Sequence, residues 1–319
     1  MAGGTLGGET GVYGVKGTPD PANYPGARQY ALKAMDAAGN LWLFGGWGIA
    51  TGKNEGELND LWKFDGTSWT WVSGNDAIDV VGVYGTKGVA AATNVPGGRD
   101  SGTMWFDSDG RLWIRGGTGC DSVSCATNVN LLQDVWMFDG TNWTWMAGPK
   151  IANQPASYGT LGVSSATNLP GGRHLEGSWY TAARGLESLG GYGYDEANAT
   201  RADLNDLWRF TAGAWTWMGG SSSANQLSVP GTLGMAAPTN WPGARDTFAS
   251  SVDAAGNAWV FGGVGCDSAT CNSTGNYLGD LWRWDGTNWT WMSGSSLANE
   301  TPAHGTLGVG EGGDGVGAG

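Results

Sequence analysis

The 319-residue sequence predicts an all-β fold, a propeller of four-stranded blades, and three observations carry that expectation. A tryptophan-rich hairpin, "DLWRWDGTNWTWMSG" from Asp280, recurs from Asp60, Asp134 and Asp206. Apolar runs are short, rich in Trp, Phe, Val and Met, and show no helical period. The chain carries 59 Gly and 20 Trp with only 14% charged residues, as expected of short strands joined by glycine turns.

The repeat is regular. Arg28, Arg99, Arg173 and Arg245 each follow Pro-Gly plus a small residue, at spacings of 71, 74 and 72. The Gly-Gly pairs at 45, 116, 190 and 262 keep those spacings, and the second hairpin tryptophans, Trp71, Trp145, Trp217 and Trp291, follow at 74, 72 and 74. Self-similarity at such a period marks a stacked-unit architecture.

Each unit reads as four strands. The first follows the Arg, as in "SGTMWFD" from Ser101, and a turn such as "SDGR" leads into "LWIRGG". A loop then leads to "DVWMF", and a D-G turn, a strong hairpin signal, brings in "NWTWM". A lone sheet of this kind cannot bury its faces, so the repeated rings are expected to pack between sheets. The ranges are 1–27 for an N-terminal linker segment, then blades at 28–74, 99–148, 173–219 and 245–294 joined by long loops, with the repeat region closing at 293 and a surplus linker and Gly-rich tail over 294–319. The third unit departs from the pattern, since "GLESLGG" lacks the second-strand Trp and "FTAGAW" lacks the turn Asp.

The succession of Arg, apolar strand, Gly-Gly, "NDLW", aromatic-Asp turn and Trp resembles the Kelch repeat, of the galactose-oxidase-like central propeller superfamily. The resemblance covers 28–293 and is nearest to the long-period repeats of secreted microbial proteins, in which "WTWMSG" is followed by "YGTKG" or "YGTLG". It implies six or seven blades in a closed ring, whereas four are counted. A linker motif also stands at both ends, at Tyr13 and at His304. A head-to-tail filament or array segment is therefore favoured over an isolated four-blade ring.

Composition excludes several functions. A net charge of −13 and only 16 basic residues argue against nucleic acid as a partner. No apolar run reaches membrane-span length, and "MAGGTLGGETG" has no signal-peptide pattern. Cys120 with Cys125, and Cys266 with Cys271, are read as two short disulfide loops, each worth roughly 2 kcal/mol, in preference to a zinc site. With sequons at Asn142, Asn198, Asn272, Asn288 and Asn299, they point to an extracellular or cell-surface glycoprotein.

Antiparallel order gathers the four Arg, the Gly-Gly pairs, the cysteine loops and the linkers at one end of the sheets, where function is expected. Asp60, Asp134, Asp206 and Asp280 recur in every unit and are assigned to pairing with the repeated Arg, with calcium as a second reading. Asp121, Asp195 and Asp267 are weaker calcium candidates. Trp47, Tyr192, Tyr194 and Trp241 are not repeated and are the candidates for ligand contact. Two histidines, His174 and His304, are too few for the copper chemistry of galactose oxidase relatives. No catalytic residue, metal or cofactor is assigned. The favoured function is a non-enzymatic structural or adhesive module that binds other copies of itself, or an extracellular protein or glycan. The alternatives are a carbohydrate-binding propeller and a polysaccharide-active hydrolase or lyase.

Overall fold

The computed structural model describes residues 7–125, 130–197 and 201–301. It is all-β, built from antiparallel sheets that follow the repeat. The first contains β1 (Arg28–Gln29), β2 (Leu32–Met35), β3 (Leu41–Ile49), β4 (Glu55–Phe64) and β5 (Trp69–Ser73). The second contains β6 (Arg99–Asp100), β7 (Thr103–Phe106), β8 (Leu112–Gly119), β9 (Leu131–Phe138) and β10 (Trp143–Ala147). After β11 (Arg173–His174) the third repeat continues as β12 (Gly177–Thr181), β13 (Gly185–Gly193), β14 (Ala202–Thr211) and β15 (Ala214–Gly219). The fourth divides further, into β16 (Arg245–Asp246), β17 (Ala249–Val252), β18 (Ala258–Phe261), β19 (Val264–Cys266), β20 (Cys271–Tyr277), β21 (Leu281–Trp284) and β22 (Trp289–Ser293). The chain forms two compact units, one of residues 1–154 with 172–174 and one of 155–171 with 175–319.

The blade is not the simple four-stranded element that the sequence suggests, because its first strand is broken. Tyr30, Ser101, Leu175 and Thr247, each two residues after a repeated Arg, hold φ of 55, 51, 55 and 52°. A non-glycine residue in that region costs on the order of 1 kcal/mol or more. The kink is compensated between neighbouring sheets. The Ser101 amide donates to the Tyr30 carbonyl at 3.0 Å, and the Thr247 amide to the Leu175 carbonyl at 3.2 Å.

The Gly-Gly pairs bring sheets together. The β3–β4 register shifts between Phe44 and Gly46, and Gly45 lies at φ +63° with the Arg99 carbonyl oxygen where a Cβ would stand. Any side chain at Gly45 would collide with that oxygen.

In the first unit the two sheets bury Leu32, Phe44 and Leu61 of one against Met104, Ile114, Trp136 and Trp143 of the other. Phe44 meets Trp143 edge-on with centroids 5.6 Å apart, and Trp42 meets Phe106 at 5.7 Å. In the second unit Trp179, Leu189 and Leu207 pack with Val260, Trp282, Trp284 and Trp289. Trp62, Trp136, Trp208 and Trp282 are fully buried. The second hairpin rings are half-buried, and Trp71, Trp145, Trp217 and Trp291 donate Nε1 to the carbonyls of Ser73, Ala147, Gly219 and Ser293. Most of the tryptophan is thus packing.

Each linker lies along the outer strand of the blade that follows it. Gly17, Gly88, Gly162 and Gly234 donate their amides to Trp71, Trp145, Trp217 and Trp291. Asn23, Asn94, Asn168 and Asn240 are buried and donate Nδ2 to the carbonyls of Trp69, Trp143, Trp215 and Trp289. Their Oδ1 atoms press on Gly14, Gly85, Gly159 and Gly231, where a Cβ would collide. This explains the Tyr-Gly motif and covers an edge that would otherwise offer unpaired backbone groups.

The third repeat compensates for its missing Trp. Glu187 stands where Trp42, Trp113 and Trp259 stand in the other repeats, and it accepts bonds from Trp179, Arg184 and Arg209 at 2.7–3.0 Å. Its hairpin turns through Ala212 and Gly213, both at positive φ, in place of the Asp turn.

Candidate functional site

The repeated polar residues satisfy one another. Arg99 is fully buried and grips Asp134 with two bonds of 2.7 and 2.8 Å. Asp134 also accepts from Tyr84 and from Trp136 Nε1, both at 2.7 Å. Burial works against both charges, but each outweighs it in the other: Asp134 holds the guanidinium above its usual range, and Arg99 holds the carboxyl below. Arg28 and Asp60, with Tyr13 and Trp62, repeat the arrangement. Arg245, Asp280 and Trp282 do so without a tyrosine. In the third repeat Asp206 accepts from Tyr158 and Trp208, and Arg173 is fully buried.

The residue after each Arg and its cross-strand partners are where the repeats differ. Gln29 stands opposite Trp47, and Trp47 opposite Glu57. Asp100 stands opposite Thr118, and Thr118 opposite Leu131. His174 Nδ1 lies 3.0 Å from the Thr118 hydroxyl. In the second unit Tyr192 faces Asp203, and Asp246 faces Val264, which faces Tyr277. This variable row ends each sheet on the side of the linkers and cysteine loops.

Two acidic pairs occupy the row. Glu57 is fully buried, and neither of its carboxyl oxygens has a hydrogen-bond donor. Burial, then Asp100 and Asp79, push its pKa up to about 9 against the opposing pull of Arg99. Asp203 is likewise fully buried with no donor to either oxygen. Burial and Asp246 push its pKa up to about 6, with Ser273 opposing. Burial also raises Asp100 and Asp246.

The four aromatic candidates part company. Trp47 lies over an open cleft of about 260 Å3 lined by Arg28, Gln29, Ile49 and Glu55, and its Nε1 reaches Glu55 at 3.4 Å. Tyr192 and Tyr194 are half-buried on and beside the row. Trp241 is instead engaged in packing. It sits 6.2 Å from both Trp284 and Trp289 and donates to the Asn205 carbonyl at 2.8 Å, because it follows the buried Asn240 of its linker.

Cys120–Cys125 and Cys266–Cys271 are disulfides. Asp121 and Asp267 direct their carboxylates at loop amides, Asp121 at Val123, Ser124 and Ala152, and Asp267 at Ala269, Thr270 and Ala298. Asp195 accepts from Ala224. These carboxylates serve as caps for the loops. Among the sequons Asn272 and Asn299 are exposed, Asn142 and Asn288 are half-buried in Asp turns, and Asn198 lies outside the described residues, as does His304.

No protein-family model matches the chain, and no curated protein does. Among solved structures, one similar chain is a fungal alcohol oxidase of the AA5 family in complex with copper, at 14% identity and a TM-score of 0.41, covering 86% of this chain and 55% of that one. The chain thus spans about half the length of that oxidase, and a likeness at this level carries no inference about activity. No helix among the described residues is long and apolar enough to cross a membrane.

Proposed function

We propose that the chain is a non-enzymatic interaction module of the extracellular space, built on Kelch-like blades, whose linkers bind further copies of itself. The observation that carries this reading is an exposed apolar side chain on every linker. It stands at one equivalent position in three of them (Val89, Val163 and Met235) and three residues earlier in the first, where Thr18 holds that position and Val15 is exposed instead. Val15 is 71% exposed, Val89 52%, Val163 52% and Met235 61%. Leu161 and Leu233 add to them in the second unit. Their backbones are fixed against the sheet edges, so these side chains are presented at no further ordering cost, as an adhesive surface requires. The two disulfides and the exposed sequons Asn272 and Asn299 support the location. The two histidines of the sequence support a function without copper oxidation.

Sedimentation velocity over a range of concentrations, with negative-stain microscopy, tests the reading. Wild type is expected to associate, and a variant carrying Val15→Asp, Val89→Asp, Val163→Asp and Met235→Asp to stay monomeric. A wild-type protein that is monodisperse and monomeric throughout would overturn it. The Trp47 cleft favours one second reading, a carbohydrate site in which the indole stacks on a sugar ring and Gln29 and Glu55 accept its hydroxyls. Glycan-array binding lost in Trp47→Ala but kept in the linker variant would select it.

A further inference from the structure

We propose that the paired carboxylates of the variable row, Glu57 with Asp100 in the first unit and Asp203 with Asp246 in the second, are two equivalent sites for a hard divalent cation of calcium's class. The inference is independent of self-association and of the Trp47 cleft.

The argument starts from an imbalance. Every repeated buried charge in this chain has partners, and the Asp134 carboxylate alone takes four donors. Glu57 and Asp203, equally buried, receive none within hydrogen-bond geometry, the Ser273 hydroxyl being the one donor group near Asp203. A buried acid with no donor is costly unless something of opposite charge, or a proton, sits against it. Both residues occupy the same register, three positions before the repeated Asp that pairs with the repeated Arg. β4 packs against β6 and β14 against β16, which brings the residue after the next Arg to each acid, Asp100 to Glu57 and Asp246 to Asp203. The same device therefore arises independently in each unit, while Leu131 and Tyr277 hold the corresponding place in the other two repeats.

The donor set selects the class of ion. Hydroxyls stand beside the acids, Ser101 with Asp100 and Thr247 with Asp246. All of these donors are oxygen, which suits calcium. Zinc would call for thiolate or imidazole, and the sulfurs nearest Asp203, those of Cys266 and Cys271, are closed in a disulfide. Glu57 is fully covered while Asp246 keeps partial exposure, so water can complete the coordination of an ion in the second unit.

The test uses the full chain stripped with a chelator and held at one mildly alkaline pH. Isothermal titration with calcium chloride, and then with magnesium chloride, reads stoichiometry, and thermal melting reads stabilisation. The expected result is two calcium ions per chain with a higher Tm, a smaller response to magnesium, and no response in a Glu57→Gln/Asp203→Asn double variant. That variant keeps shape and hydrogen-bonding capacity, and its Tm without calcium should equal or exceed that of wild type, which shows that it folds. One ion per chain lost with Glu57→Gln alone or with Asp203→Asn alone would overturn the equivalence of the units. Absence of any calcium effect at millimolar concentration, leaving a shared proton only, would overturn the proposal, as would an undiminished effect in the double variant.

Discussion

Replacing Arg99 by Met tests the anchor of the blade most severely. The guanidinium is fully buried and makes four bonds, two to Asp134 at 2.7 and 2.8 Å and one each to the carbonyls of Gly97 and Gly116 at 3.2 and 3.3 Å. Met preserves the aliphatic stem and removes the charge, leaving Asp134 buried with only Tyr84 and Trp136 as donors. Breaking a buried pair from one side costs about 3–5 kcal/mol, and that is the loss expected in urea denaturation at pH 7. The sign of its pH dependence is fixed as well. In wild type Arg99 holds the Asp134 pKa below its ordinary value, so the pair stabilises above the unfolded carboxyl pKa and fades as pH falls through the folded one. In the variant burial alone acts and raises that pKa, so acidification toward pH 4 should recover part of the loss. An Arg99→Met/Asp134→Leu double variant should be more stable than the single one, because no charge is stranded. A loss under about 1 kcal/mol, or one that is unchanged between pH 7 and pH 4, would refute the reasoning.

Three other outcomes are expected. Glu57 faces the Asp79 and Asp100 carboxylates and the Arg99 guanidinium, and its folded pKa of about 9 lies above the unfolded 4.5. Its contribution is therefore favourable below pH 4.5 and withdrawn up to pH 9, with about 3 kcal/mol gone by pH 7 at about 1.4 kcal/mol per pH unit. Glu57→Gln should flatten that slope in chelator-containing buffer, and a variant that keeps the wild-type slope between pH 5 and pH 8 would refute the assignment. Asn94→Ala removes bonds to Val89 and Trp143 and should cost roughly 1–3 kcal/mol, with hydrogen-exchange protection lost first along residues 84–95. Changing both Cys120 and Cys125 to Ser should cost only about 2 kcal/mol in chemical denaturation, since the loop is short and Asp121 still caps it.

The blades were legible in the sequence because their signals are local. A D-G turn between two aromatic runs sets its own hairpin, and four copies at near-constant spacing set the architecture. The kink at Tyr30, Ser101, Leu175 and Thr247 was not legible, since these four residues share no chemistry and the strain is offset by a bond from the neighbouring sheet. Pairing of each linker with the blade after it was hidden for the same reason: Asn94 and Trp143 are 49 residues apart, and nothing local links them. Of the unrepeated aromatics expected to contact a ligand, Trp47 and Tyr192 lie in the variable row, while Trp241 packs against Trp284 and Trp289, its ring replacing a smaller residue at an equivalent linker position. Glu57 and Asp203 are not legible in the sequence, because aligning them with Asp100 and Asp246 requires knowing which strand edge meets the following blade. The unmatched Glu187 was a visible anomaly, and only the packing reveals the two arginines and the tryptophan that neutralise it.

A double-mutant cycle on Phe44 and Trp143, read by urea denaturation, tests most directly whether neighbouring sheets hold one another through their rings. The two are fully buried on different sheets with centroids 5.6 Å apart. Phe44→Leu and Trp143→Leu should couple by about 0.5–1.5 kcal/mol. Two losses that simply add, within about 0.3 kcal/mol, would mean that the sheets stand independently and that the aromatic repeat serves some other end.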